Sequence, residues 1–183
     1  RYDDFDKLCA EVSDYISDGK VVGWFQGRME WGPRALGNRS ILGDPRNAEM
    51  QKKLNLKIKY REGFRPFAPS VLEEDSHLYF EGNAYSPYMM FTAPIVKSRR
   101  LPILGGDKNI MERLYSSRSD IPAVTHLDYS ARIQTVSRKT NERFWSLINA
   151  FKNKTGYGLL INTSFNVRNE PIVCSPEDAL RCF

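Results

Sequence analysis

Lys59 and Arg61 are two cations separated by one residue, in the stretch Lys59-Tyr60-Arg61-Glu62-Gly63-Phe64-Arg65-Pro66-Phe67-Ala68. If the stretch is extended, both side chains point to one face. Two cations aimed at one spot repel unless an anion sits between them or Glu62 neutralises them. A second pair, Arg34 and Arg39, lies in Gly32-Pro33-Arg34-Ala35-Leu36-Gly37-Asn38-Arg39-Ser40, where two glycines and a proline shape a loop. Arginine offers a planar fork of donors that suits phosphate oxygens; pairing with Glu30 or Asp44 is the alternative. Arg132 and Gln134 share a face of Arg132-Ile133-Gln134, and an arginine in a buried strand needs an anionic partner. Ser164 and Asn166 close the run Asn162-Thr163-Ser164-Phe165-Asn166, which follows the apolar segment Gly158 to Ile161. Short polar side chains at the C-terminal end of a strand are where α/β folds bind ligands, although an ordinary Asn- and Ser-rich turn reads the same way.

The chemistry these residues share is the binding of phosphate by side chains. No G-x-x-x-x-G-K-[ST], G-x-G-x-x-G or G-x-S-x-G occurs, so any nucleotide must be held by cations rather than by a backbone cradle. His126 and Asp128 would share a strand face and invite a metal reading. With no third ligand in view, the histidine reads as a core or supporting residue, and no resident metal is expected. Cys9, Cys174 and Cys182 form no C-x-x-C, which argues against a zinc knuckle and for a reduced cytoplasmic setting.

The elements that must position these groups come from a chain of 183 residues, 41% hydrophobic and 27% charged. That is one ordinary domain, 1–183, large enough to bury a core. No stretch approaches the roughly 20 apolar residues of a membrane span, and the Asp-rich start is no signal peptide. Because Arg1 is not Met and the last helix has only two turns, an excerpt of a longer chain is expected. Net charge is +5, but residues 26–70 hold ten basic and four acidic residues, so the whole excess sits there and asks for an anionic partner. Lys52, Lys53 and Lys57 read equally well as a solvated helix face.

Phe5, Leu8, Cys9, Val12, Tyr15 and Ile16 predict an amphipathic helix ended by Gly19. Val21 to Gln26 reads as a buried strand, and Gly27 to Gly43 as too irregular for a long element. Asn47 to Lys57 looks helical, with Met50, Leu54 and Ile58 inward. Strands are predicted within Arg65 to Leu72, Tyr88 to Val96, Ala123 to His126, Ala131 to Val136, Gly158 to Thr163 and Pro171 to Cys174. Lys97 to Pro122 reads as a surface excursion with a short helix at its centre. Asn141 to Lys154 is a second clear helix, ended by Gly156, and Ser175-Pro176-Glu177-Asp178 starts another. Helices interleaved with strands predict an α/β sheet.

The run from Val21 to Gly37, the Arg65-Pro66-Phe67-Ala68-Pro69 block, Asn162 to Asn166 and Glu170-Pro171-Ile172-Val173 resemble, in the same order, the C-terminal domain of the NodU/CmcH-type O-carbamoyltransferases. The resemblance extends from about Val21 to Leu180. That domain is similar in fold to YrdC, which implies a YrdC-like open twisted sheet flanked by helices. YrdC-like proteins bind ATP through K-x-R and S-x-N motifs, which Lys59-Tyr60-Arg61 and Ser164-Phe165-Asn166 match here. One departure is Tyr129-Ser130, which stands where a glycine and a small residue are expected; a tyrosine beside Arg132 would narrow the pocket.

The resemblance implies a domain that binds ATP and carbamoyl phosphate and makes a carbamoyl-adenylate. A preceding ASKHA-type domain, absent from this chain, would carry the metal and transfer the carbamoyl group to a hydroxyl. Arg34, Arg39, Lys59 and Arg61 would hold the triphosphate and carbamoyl oxygens, and Arg132 the α-phosphate. Ser164 and Asn166 would orient the carbamoyl group or ribose. Lys59, Arg61, Arg132 and Ser164 would be the catalytic set, and Mg²⁺ would arrive with the ATP. A homodimer stays open. Two other classes compete: an RNA-binding module, against which the nearby aromatics show no stacking repeat, and a non-catalytic docking domain that uses Trp24 and Phe25.

Overall fold

The computed structural model describes residues 2–82, 85–102 and 116–183. Seven strands and four α-helices occur among them: α1 Phe5–Ser17, β1 Val22–Phe25, β2 Arg39–Gly43, α2 Met50–Leu54, β3 Ala68–Leu72, β4 Thr92–Pro94, β5 Ser130–Arg132, β6 Gln134–Val136, α3 Glu142–Thr155, β7 Leu159–Ser164 and α4 Pro176–Cys182. Five strands form an open mixed sheet in the order β1-β2-β7-β3-β6. Every pairing in it is antiparallel except β3 with β6. β4 and β5 make a separate two-stranded sheet.

The large sheet is covered on both faces, and its side chains alternate between two cores. Ile41 of β2, Val71 of β3 and Ile161 of β7 face one core; Leu42, Leu72 and Leu160 face the other. On the second face α1 and α3 pack side by side, contributing Cys9, Val12 and Ile16 from one helix and Phe144, Leu147, Ile148 and Phe151 from the other. The first face is covered by α2, the small sheet and short helical turns. Full burial of one such aliphatic or aromatic side chain contributes roughly 1.5–3 kcal/mol.

Local chemistry fixes the helix ends. Asp4 caps α1 by accepting the amides of Asp6 and Lys7. Asn141 caps α3, which Gly156 ends at φ 81°. Ser175 and Asp178 form a reciprocal capping box at α4.

Several sequence expectations need correction. Gly27 to Gly43 contains β2, one of the buried strands of the sheet; Arg39 and Ser40 hide it from a periodicity reading because both are buried polar residues. The predicted strand at Val21 to Gln26 exists, yet only Trp24 of it is buried. Ala123 to His126 is not a strand: Pro122–Val124 is a 3₁₀ turn, and Thr125 and His126 follow it without regular structure. Pro171 to Cys174 is not a strand either, and its Val173 amide donates to the Phe165 carbonyl. Tyr88 to Val96 shrinks to Thr92–Pro94. Ala131 to Val136 splits at Ile133 into strands of different sheets. The helix predicted at the centre of Lys97 to Pro122 lies outside the described residues.

Candidate active site

Lys59 and Arg61 do not lie on an extended strand. α2 runs directly into a π-helical turn, Asn55–Lys59, and Tyr60 then takes a left-handed conformation, φ 44°. The turn sends the two cations apart. Lys59 is buried, and its Nζ donates to the Ser164 carbonyl at 2.6 Å, the Asn166 carbonyl at 2.8 Å, Asn166 Oδ1 at 2.7 Å and Ser164 Oγ at 3.2 Å. None of the four acceptors is charged, so burial, with Arg61 adding to it, pulls the ammonium down to about 8. Arg61 turns the other way. Its Nε donates to Asn55 Oδ1 at 2.6 Å, and its guanidinium lies 5.0 Å from the Phe67 ring centre.

Arg61 enters a cavity of about 410 Å³ together with Arg34, Arg65 and Arg132. Its other walls include Met89, Thr92 of β4, and Asn162, Thr163 and Ser164 at the end of β7. Four arginines and no carboxylate line it. Arg65 has a neutralising partner in Glu62, at 3.0 Å. Arg34 makes no hydrogen bond or ion pair among the described residues, and neither Glu30 nor Asp44 takes it. Glu30 accepts the amides of Leu36 and Asn38, and Asp44 pairs with Arg46. Arg132 is half-buried, its Nε has no partner, and one Nη reaches only the Met89 sulfur at 3.8 Å. Burial, then the charges of Arg34 and Arg61, lower its proton affinity. Convergent cations in a concave, partly dry site are stabilised by an anion placed among them.

Of the predicted residues, Arg34, Arg61, Arg132 and Ser164 meet in this cavity. Arg39, Lys59 and Asn166 are not among its lining residues. Arg39 is buried beneath the loop and gives its guanidinium to carbonyls: Gln26 at 2.8 Å, Asn38 at 2.8 Å, Gly27 at 3.2 Å and Cys174 at 3.2 Å. It stacks 3.5 Å from the Phe25 ring centre. Lys59 and Asn166 stand behind Ser164, whose Oγ donates to Asn166 Oδ1 at 2.6 Å.

Three contributors had no assigned role. Asn55 closes the 55–65 loop, donating to the carbonyls of Gly63 and Arg65 while accepting from Arg61. Its signal was a weak helix former between Leu54 and Leu56. Asn162 is fully buried and ties the Ala35 carbonyl to Ser70 and Gln134, while Gln134 donates to the Leu36 carbonyl. This network anchors the loop carrying Arg34 to β3, β6 and β7. Met89, at φ 56°, supplies a cavity wall.

Tyr129 does not narrow the cavity. It takes φ 63°, a conformation glycine adopts without steric cost, which accounts for the glycine expected there. Its hydroxyl donates to the Leu101 carbonyl at 2.9 Å, and it is not among the cavity's lining residues. Among the described residues no group of three or more His, Cys, Asp or Glu could share a metal, and no helix is long and apolar enough to cross a membrane.

Comparison with known proteins adds to this geometry. The family model for the carbamoyltransferase C-terminus matches residues 13–183. An uncharacterized protein of Synechocystis is 56% identical over 184 residues, covering 100% of this chain and 30% of its own length. The nodulation protein NolNO of Sinorhizobium fredii is 48% identical over 181 residues, covering 97% of this chain and 24% of its own. A 3'-hydroxymethylcephem-O-carbamoyltransferase of Amycolatopsis lactamdurans is 38% identical over 163 residues, covering 89% and 27%. The chain therefore spans less than a third of the length of these relatives.

Proposed function

The chain belongs to the carbamoyltransferase C-terminus family, and from that premise we propose that it is the nucleotide- and carbamoyl-phosphate-binding part of an O-carbamoyltransferase. The observation that carries the proposal is the cavity lined by Arg34, Arg61, Arg65 and Arg132 without a carboxylate. Its volume, about 410 Å³, is within the range of small-molecule sites. Water bonds to the carbonyl carbon of carbamoyl phosphate as the bond from that carbon to the phosphate oxygen breaks, which gives carbamate and inorganic phosphate. A carbamate oxygen then attacks the α-phosphorus of ATP, and pyrophosphate leaves with its electron pair.

Phosphoryl-type transfer of this kind is mostly positioning and charge neutralisation. Arg34 and Arg61 take the phosphate oxygens of the substrates, and Arg132 faces the charge that grows at the α-phosphorus. The Ser164 hydroxyl orients the carbamoyl group or ribose. Lys59 and Asn166 act one layer back, fixing Ser164 through the bonds described above. Arg39 holds the loop that presents Arg34. Mg²⁺ comes bound to the nucleotide phosphates. In the fuller reading the domain is YrdC-like, and an N-terminal domain of the same protein passes the carbamoyl group from the adenylate to a hydroxyl acceptor.

Exchange of labelled pyrophosphate into ATP tests the step directly. Exchange is expected with carbamoyl phosphate and absent without it. ATP binding with no carbamoyl-phosphate-dependent exchange would remove the adenylate step from the assignment.

A further inference from the structure

His126 takes no part in the function proposed above, yet it lines the arginine cavity. It also lines a neighbouring cavity of about 440 Å³. The turn that carries it is closed twice by backbone bonds, from the Tyr129 amide to the His126 carbonyl and from the His126 amide to the Ser130 carbonyl. Within that turn the Ser130 hydroxyl donates to Asp128 Oδ1 at 2.7 Å. Its proton is thereby committed, so Ser130 Oγ can only accept from His126 Nδ1, 3.1 Å away. The neutral imidazole then carries its hydrogen on Nδ1 and a lone pair on Nε2. Nε2 has no hydrogen-bond partner among the described residues.

The surroundings keep the ring neutral. Burial lowers its proton affinity and Arg132, on β5, lowers it further, against an opposing pull from Asp128. The other charged residues that line the two cavities are cations: Arg34 and Arg61 in the arginine cavity, Arg65 in both, and Arg118 in the neighbouring one. A neutral base beside a cluster of phosphate-binding cations is suited to removing a proton from a nucleophile that attacks a phosphorylated carbon.

We propose that His126 Nε2 is the general base for phosphate release from carbamoyl phosphate, a role that rests on the function proposed above. Water attacks the carbamoyl carbon, and a new carbon–oxygen bond forms as Nε2 takes the water proton. The bond from that carbon to the phosphate oxygen then breaks, its electron pair leaving on phosphate. The imidazolium gives its proton to the departing phosphate. The products are carbamic acid, which ionises to carbamate, and inorganic phosphate. Asp128 and Ser130 are positioning residues that set the tautomer.

Three measurements on this protein test it: ATP binding, phosphate release from carbamoyl phosphate with ATP present, and pyrophosphate exchange started from carbamate formed in ammonium bicarbonate. General-base loss costs roughly 100- to 10,000-fold. His126→Gln should lower phosphate release at least 100-fold, keep ATP affinity within threefold and retain carbamate-started exchange. Added imidazole should partly restore phosphate release to His126→Gly. The wild-type rate should fall as pH drops through a value below 6.5, and His126→Gln should lack that limb. Phosphate release within threefold of wild type in His126→Gln overturns the role, as does a parallel loss of carbamate-started exchange. A wild type that binds ATP but releases no phosphate also overturns it, whereas a wild type that binds no ATP overturns the underlying function.

Discussion

Lys59 donates to four neutral oxygens at the end of β7 and is buried while doing so. Its charge is therefore spent on bonds within the fold. Burial brings its ammonium to about 8 from an ordinary 10.5. Between those values the unfolded chain binds the proton more avidly than the folded one, so this group makes stability rise as pH increases from about 8 towards 10.5. Lys59→Met should flatten that rise, read as the difference in urea midpoint between pH 8 and pH 10. The same variant should lower catalytic turnover more than ATP affinity, because Ser164 loses its support while the arginines remain. The residue types of the site were legible in the sequence, but the division between Lys59 and Arg61 was not. It depends on a π-helical turn and one left-handed residue, Tyr60, neither of which has a hydrophobic period.

The element that presents Arg34 is a loop held by what lies beneath it. Gly37 has φ 110°, and a Cβ built there would overlap the Phe144 ring in the core under α3. Gly37→Ala therefore combines overpacking with left-handed strain, about 2–5 kcal/mol together, and should shift the chemical-denaturation midpoint accordingly. Phe144→Leu should relieve part of that loss in the double variant. Helices α1 and α3 were legible because their apolar faces repeat with helical spacing and glycines, Gly19 and Gly156, follow their ends. β2 was not legible. Both of its faces are buried, so it has no alternation, and it begins with an arginine that spends its charge on carbonyls. The strand predicted at Pro171 to Cys174 failed for a complementary reason. Ile172 and Val173 have strand propensity, but the segment only follows the end of β7, with Val173 bonded to Phe165.

At the scale of the whole molecule, the arginine cavity is a point of tension that an anionic ligand would relieve. Arg132 has a buried, unpartnered Nε and two cationic neighbours, so the fold without ligand contains uncompensated repulsion. A ligand that binds only the folded state at 100 times its Kd contributes about 2.7 kcal/mol. For a chain of this length that is a Tm increase of roughly 5–10 °C. ATP with Mg²⁺ should produce such a shift in calorimetry. Arg132→Met should cut the shift to about half or less at the same ATP concentration while leaving the ligand-free Tm unchanged or higher, because it should weaken ATP binding at least tenfold, charge-assisted bonds being worth roughly 1.5–3 kcal/mol. A ligand-free Tm several degrees lower would instead make Arg132 a structural residue. The concentration of positive charge in residues 26–70 pointed to this site, although Lys52, Lys53 and Lys57 proved to be an exposed face and Arg132 comes from far along the chain.

The order β1-β2-β7-β3-β6 also sets a timetable. The strand at the middle of the sheet is the last of the five to leave the ribosome. Until residues 159–164 emerge, the β1–β2 hairpin and the β3–β6 pair are two half-sheets, each with an open edge waiting for the same partner. Lys59, made a hundred residues earlier, has no acceptors until that strand arrives. A nascent chain stalled before Leu159 would hold all four of the cavity's arginines without the strand that brings them together, and would expose two edges able to pair with other chains.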